Sequence, residues 1–327
     1  MTPRQRLDAV LAGQRPDRPP VSFWYHFPPA QVAGTAAVQA HLDLLDGYGL
    51  DFLKVMNDNP YPHAGNIHRV EDLASLGPLR GDEEGFGRQL ELLAALQAKL
   101  HQRVYLASTI FNAWSVLRLL VETPAVHMPP NLDAAADAPS RWIRDAYAQR
   151  PDLVTAALHT IGENLGRFAA RCLQAGADGI YLSVRDDWVD LPGAPSVRLY
   201  DSLVRLTDRR ILQPVQAARF NILHVCGTAR NFPAFAALPV AVLHWADRAA
   251  GPAIRDVKDQ VKPVLAGGVN NLGTLVTGTP DQVRQEVRDA IAQAGAHPFI
   301  VAPGCTFDPA RVPAENLRAL VAAAQES

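Results

Sequence analysis

Residues 220–302 contain four short apolar runs: FNILHVC (Phe220–Cys226), VAVLHW (Val240–Trp245), VKPVLAG (Val261–Gly267) and PFIVA (Pro298–Ala302). Each gives way at its C-terminal end to polar or small residues. Runs of this length, rich in Val, Ile and Leu and bounded by turn residues, read as strands buried on both faces, as in a parallel sheet covered by helices. The same pattern holds upstream in PVSFWYHF (Pro20–Phe27), LDFLKVMN (Leu50–Asn57), RVYLASTIF (Arg103–Phe111) and GIYLSV (Gly179–Val184), which makes eight candidate strands. Amphipathic stretches such as Leu153–Ala175 and Pro280–Ala294 lie between them, the second opening on Thr279, Pro280 and Asp281, residues suited to a helix start. Eight strands alternating with helices predict a single (β/α)8 TIM barrel over residues 1–327, a fold of ~250 residues or more. The extra length fits an N-terminal helix (Arg4–Gly13) and an insertion near residues 123–150. A doubly wound sheet is the alternative, but no linker, charge block or repeat marks a second domain. The glycine pair Gly267-Gly268 continues as VNNLG and is not a dinucleotide-binding GxGxxG.

Composition narrows the function classes. Of the 327 residues, 48% are hydrophobic and 20% charged, with a formal net charge of -2, too balanced for a nucleic-acid binder and too apolar for a disordered chain. No stretch approaches the ~20 apolar residues that span a bilayer. The N-terminal MTPRQRLDAVLAGQRPDRPP lacks the apolar core of a signal peptide. The expected setting is therefore cytoplasmic, with no membrane and no nucleic-acid partner. Three cysteines, Cys172, Cys226 and Cys305, are too few and too odd for a disulfide framework. In a reducing compartment they are buried hydrophobes, reactive thiols or metal ligands.

In a TIM barrel the chemistry sits where strands end. The candidate strands end in Tyr25-His26, Asn57-Asp58-Asn59, Asn112, Arg185-Asp186-Asp187, His224-Val225-Cys226, His244-Trp245-Ala246-Asp247, Asn270-Asn271 and Gly304-Cys305. Many such Asp and Asn residues are helix caps. His224 and Cys226 are spaced i and i+2 on one strand, so their side chains project to one face. Cys305 arrives at the same end of the barrel, three strands round, on the order of 13 Å away across a barrel of this size. One imidazole and two thiolates make a three-ligand set for zinc with a fourth position open, as catalytic zinc sites have. The structural alternative is a satisfied core histidine and two small residues at tight turns. Cys172 lies within a helical pattern and reads as core.

With these residues in view, the sequence resembles the uroporphyrinogen decarboxylase superfamily along nearly its whole length. The likeness is carried by MTPRQRLDAVLAGQRPDRPPVSFW at the start, then NILHVCG, VLAGGVNN, GTPDQVRQEV and FIVAPGCTFDPARVPAENLRAL in order. The resemblance implies a (β/α)8 barrel and one of two chemistries. True decarboxylases of that superfamily bind a tetrapyrrole with eight carboxylates. They carry an arginine-rich RQAGRYLP-type motif, an aspartate after the second strand within an FSDIL-like run, and a histidine in a GHG-like turn. Here VSFWYHFPPA has no arginine, Cys305 stands where that histidine would lie, and Asp58 within LKVMNDNP only approximates the aspartate.

The other branch holds zinc-dependent methyltransferases that move a methyl group between a corrinoid, free as methylcobalamin or on a corrinoid protein, and a small-molecule thiol of the coenzyme M type. Their HxC followed by a distant Cys is matched by His224, Cys226 and Cys305. The resemblance thus implies zinc, a corrinoid and a thiol substrate, with Asp247 as a resting fourth ligand or proton acceptor. The strand-end residues Tyr25, His26, Asn57, Asn112, Arg185 and Trp188 are the candidate substrate contacts, and the aromatic and amide set Tyr25, Trp24, Asn57, Asn112 and Trp188 suits a smaller, less charged ligand than a tetrapyrrole. Arg185, with Arg230 and Arg248 nearby, faces Asp58, Asp186, Asp187 and Asp247, too little positive charge for eight carboxylates. The alternatives are a decarboxylase using Asp58 or Asp187 without metal, and a barrel that binds metal or ligand without catalysis.

Overall fold

The computed structural model describes residues 1–65, 67–121, 138–185, 201–227 and 232–327. Seven strands form one sheet in chain order, every neighbouring pair parallel: β1 (Phe52–Val55), β2 (Tyr105–Phe111), β3 (Gly179–Arg185), β4 (Ile222–Cys226), β5 (Val242–Trp245), β6 (Val264–Val269) and β7 (Phe299–Pro303). Helices α1 (Pro3–Leu11) and α2 (Gly34–Tyr48) precede β1, and α3 (Glu84–Leu100) links β1 to β2. Between β2 and β3 run α4 (Ala113–Leu120), α5 (Ala138–Gln149) and α6 (Pro151–Gln174). Later crossovers use α7 (Leu206–Leu212), α8 (Phe232–Ala236), α9 (Ile254–Val257), α10 (Thr274–Thr277) and α11 (Pro280–Ala294), and α12 (Ala314–Gln325) closes the chain. This is a TIM-barrel-like α/β fold. The expected insertion near residues 123–150 is α5 in its latter part, and residues 122–137 lie outside the described residues.

Local chemistry explains the helix starts. Thr2 and Thr279 each cap the helix that follows, through capping boxes with Gln5 and Gln282, and proline occupies the first helical position in both. The strands are buried almost throughout, with alternate residues facing the barrel interior and the helices. At the N-terminal end the interior is filled by Phe52, Tyr105 and Phe220, whose rings meet at 5.1 Å. Trp24 lies above Phe52 and packs edge-on against Tyr181 and His244 at 5.2 and 5.0 Å.

One expected element is not a strand. Pro20–Phe27 makes a single bridge, Val21 to Val301. Pro20 has no N–H to give, and the Val21 N–H donates to the Asp51 carboxylate at 2.8 Å instead of to a ladder. The segment still joins the two edges of the sheet. Val301 N–H donates to Pro20 O and Ser22 N–H to Val301 O on the β7 side, while Asp51 N–H donates to Val21 O and Ser22 Oγ to Phe52 O on the β1 side. The architecture is thus a curled seven-stranded sheet whose edges are linked by residues 20–22, where the sequence predicts eight strands.

Asp51 organises that link. Its fully buried carboxylate accepts from Arg6 at 2.6 Å, from Arg18 at 2.7 Å and from Val21 N–H, tying α1 and the chain before α2 to the foot of β1. Removing one partner of a buried ion pair leaves uncompensated charge, which typically costs about 3–5 kcal/mol. Arg6 keeps Asp17 as a second carboxylate partner, so Asp51→Ala should lower the unfolding free energy by the lower end of that range, about 3 kcal/mol, in urea titrations. A loss near zero would show that the link does not hold the sheet edges.

Candidate metal centre

Strand alternation puts Ile222, His224 and Cys226 on the inner face of β4 and Leu223 and Val225 on the outer. His224 is buried, while Cys226, at the strand's end, is partly exposed. Cys305 reaches the same place from a tight passage after β7. Gly304 donates its N–H to Val269 O at 2.9 Å, and a Cβ on it would stand 2.7 Å from Ala246 Cα, so this close approach requires glycine. Cys305 Sγ then lies 3.2 Å from His224 Nε2. One ligand atom from each of His224, Cys226 and Cys305 falls within 4.8 Å of the other two, the metal-capable group among the described residues.

The cluster rests on an aromatic floor. The Tyr181 ring stacks on His224 at 5.6 Å, and His224 lies 4.7 Å from His244. His244 Nε2–H donates to Pro303 O at 2.8 Å, which leaves Nδ1 to accept from the Tyr181 hydroxyl, also at 2.8 Å. Burial holds the His244 imidazole neutral, well below its usual pKa. This chain of bonds ties β3, β5 and β7 together two residues before Cys305.

The two neighbouring sulfurs act on each other in opposite senses: the Cys305 thiol is drawn below its usual value, and the Cys226 thiol, with burial added, is pushed above it. His224 Nδ1 is buried with no hydrogen-bond partner among the described residues. An imidazole with unfilled bonding capacity and two cysteine sulfurs within coordination reach fit a soft divalent metal such as zinc.

The other predicted site residues have varied surroundings. His26 Nδ1 and Asp58 Oδ1 meet at 2.6 Å in a partly exposed pair. Arg185, buried at the end of β3, is in register with Cys226, and Tyr25 packs on Phe27 and Phe307. Asn57 accepts from Asn59 and donates to Thr109 O, holding the turn after β1. Asn112 caps α4 through Ser115 N–H and donates to Asp208 at 3.0 Å, and burial lifts that carboxyl to about 7. Asp247 accepts from Gly268 N–H at 2.9 Å and is pushed up to about 6 by burial. Its oxygens are not part of the three-residue cluster. Asp186, Asp187, Trp188 and Arg230 lie outside the described residues.

Lys54 on β1 is the functional candidate that reading strand ends did not single out. It is only 4% exposed, and burial pulls its ammonium down to about 7. The signal was a charge in the middle of an otherwise apolar strand, FLKV.

The sequence profile of the uroporphyrinogen decarboxylase (URO-D) family matches residues 44–327. No curated protein sequence matches the chain. Among solved structures, it is similar to a methyltransferase from Methanosarcina mazei, with 19% identity, a TM-score of 0.76, and coverage of 100% of this chain and 99% of that one. It is also similar to a B12-independent methionine synthase from Shewanella sp. W3-18-1, solved in complex with selenomethionine, with 11% identity, a TM-score of 0.60, and coverage of 94% and 97%. At these identities the two structures show the shared fold. No described helix is long and apolar enough to cross a membrane.

Removing one ligand of the cluster should weaken zinc by about 3 kcal/mol, or ~100-fold, taking the ~10–16 kcal/mol of four-ligand zinc sites as shared among their ligands. Cys305→Ser is the variant to compare with wild type in chelator competition. Each thiol must lose its proton to bind, so affinity falls as pH falls. With the Cys226 thiol pushed above its usual value, it releases its proton on binding throughout the neutral range, so the fall should be continuous there. A flat pH profile would remove the thiols from the site.

Proposed function

Because the chain belongs to the uroporphyrinogen decarboxylase family, we propose that it is a zinc-dependent methyltransferase of that family, acting between a corrinoid and a thiol. The observation that carries this reading is the convergence of His224, Cys226 and Cys305 at the C-terminal end of the barrel. Zinc held there would lower the pKa of a substrate thiol and present it as a thiolate nucleophile.

The protein's own residues fix the ligand side chains before substrate arrives. Tyr181 stacks on the His224 ring, and its hydroxyl is anchored by His244, so the imidazole plane is set by packing. The bond from His244 to Pro303 O holds the backbone that delivers Cys305. The His26–Asp58 pair is a partly exposed acceptor suited to taking the proton a thiol gives up. The methyl donor is a corrinoid, free or on a partner protein, and the acceptor a small-molecule thiol. The reducing cytoplasm suits a site built on two free thiols.

A second reading, decarboxylation of a porphyrinogen, has Asp58 in its favour as a partly exposed carboxylate after β1. Against it, Arg248 is committed to Gly268 O, Glu286 O and Asp289 and is not free to meet a substrate carboxylate.

The experiment runs both reactions on one preparation. Methylcobalamin should be demethylated in the presence of 2-mercaptoethanol, followed by its visible spectrum. Cys226→Ala or a chelator should slow this at least about a hundredfold, since the metal's contribution is worth several kcal/mol. Conversion of uroporphyrinogen to coproporphyrinogen, insensitive to chelator and to Cys226→Ala, would establish the decarboxylase instead. Metal uptake with neither turnover would leave a binding barrel.

A further inference from the structure

Lys54 places a cation where packing alone calls for a hydrophobe. Its Nζ lies 4.4 Å from the Tyr181 ring centroid and 5.6 Å from that of Trp24, and its one hydrogen bond goes to Met56 Sδ at 3.0 Å. No carboxylate pairs with it among the described residues. A thioether and two aromatic faces compensate a buried ammonium poorly, and a methionine would fill the same space without the desolvation penalty. The charge therefore has a use beyond stability.

The surroundings point to that use. The Tyr181 ring that Lys54 touches is stacked on His224, so one aromatic ring separates the ammonium from the cluster. Burial disfavours the Lys54 charge, while Cys305 and Asp58, beyond the end of β1, both favour it. The other titratable groups facing it are His41 on α2 and His244 on β5, both held neutral by burial, together with the Tyr181 phenol on β3.

Two thiolates neutralise a divalent ion. A third thiolate in the open position leaves one net negative charge in a poorly solvated interior. We propose that Lys54 is the counter-charge of the metal centre, favouring an anionic fourth ligand, a thiolate, over a neutral one. This rests on the metal-thiol reading above and extends it: the substrate is selected for its charge at sulfur as well as for its shape.

The test compares wild type with Lys54→Met, each loaded with one Co2+ per chain as a spectroscopic probe. Each is titrated at one pH, held below the value of about 7 to which burial brings Lys54 so that the ammonium is present, with 2-mercaptoethanol, which binds as a thiolate, and with imidazole, which binds neutral. The thiolate-to-cobalt absorption and the ligand-field bands report occupancy. Lys54→Met should load cobalt as wild type does and melt at the same or a higher temperature. It should bind 2-mercaptoethanol about tenfold more weakly, with imidazole changed less than about twofold, the size expected of one charge acting through a partly shielded medium. Equal changes for the two ligands, or none for the thiol, would overturn the counter-charge. So would a variant that melts lower and loses both ligands together, since Lys54 would then be a packing residue. Failure of wild type to take up cobalt or zinc would instead overturn the metal reading on which the inference stands.

Discussion

The buried carboxylate of Asp51 is the constraint from which the arrangement of the barrel follows. It collects two arginines and one backbone N–H at the foot of β1, and so pulls residues 20–22 into the space between β1 and β7. A curled parallel sheet with its edges apart would leave unpaired N–H and C=O groups along each. Here β7 bonds to Pro20 and Ser22, and the approach to β1 bonds to Val21. Because the edges are held together, Cys305, just after β7, and Lys54, on β1, belong to one interior. The spacing of these two residues is thus tied to a salt-bridge cluster at the other end of the strands.

That cluster also shows where sequence reading reaches its limit. Local pattern decides a strand when one chain segment supplies its own periodicity, as ILHVC and VLAGGV do, and those were legible. PVSFWYHF has the pattern too, but its ladder donor is taken by a carboxylate thirty residues away, a competition that no window around residue 21 reveals. The convergence of His224, Cys226 and Cys305 was legible for the opposite reason. HxC on a strand fixes its own geometry, and a third cysteine after the last strand needs only the closure of the sheet to meet it.

Polar residues at strand ends also serve the backbone. Asn57, Asn112 and Asp247 read as candidate site residues, yet each has a backbone duty in the structure: a turn, a helix cap and a tie to Gly268. Such residues have the same composition as catalytic ones because loops need hydrogen-bond acceptors wherever helices begin. Lys54 is the reverse case. It lies mid-strand, where a search of strand ends does not look. What marks it is the cost of burying a charge, which depends on neighbours contributed by β3 and the segment before α2.

Gly304 shows how the site can vary. His224 and Cys226 are bound to the register of β4, so altering their spacing would disturb a strand paired on both sides. Cys305 is placed by a short passage whose shape depends on one residue without a side chain lying against Ala246. The site therefore has a rigid half and an interchangeable half. Over evolutionary time, rewriting the few residues after β7 can replace a sulfur ligand with another group while the barrel stays intact. One scaffold can thereby diverge into metal-dependent and metal-free lineages through a single loop.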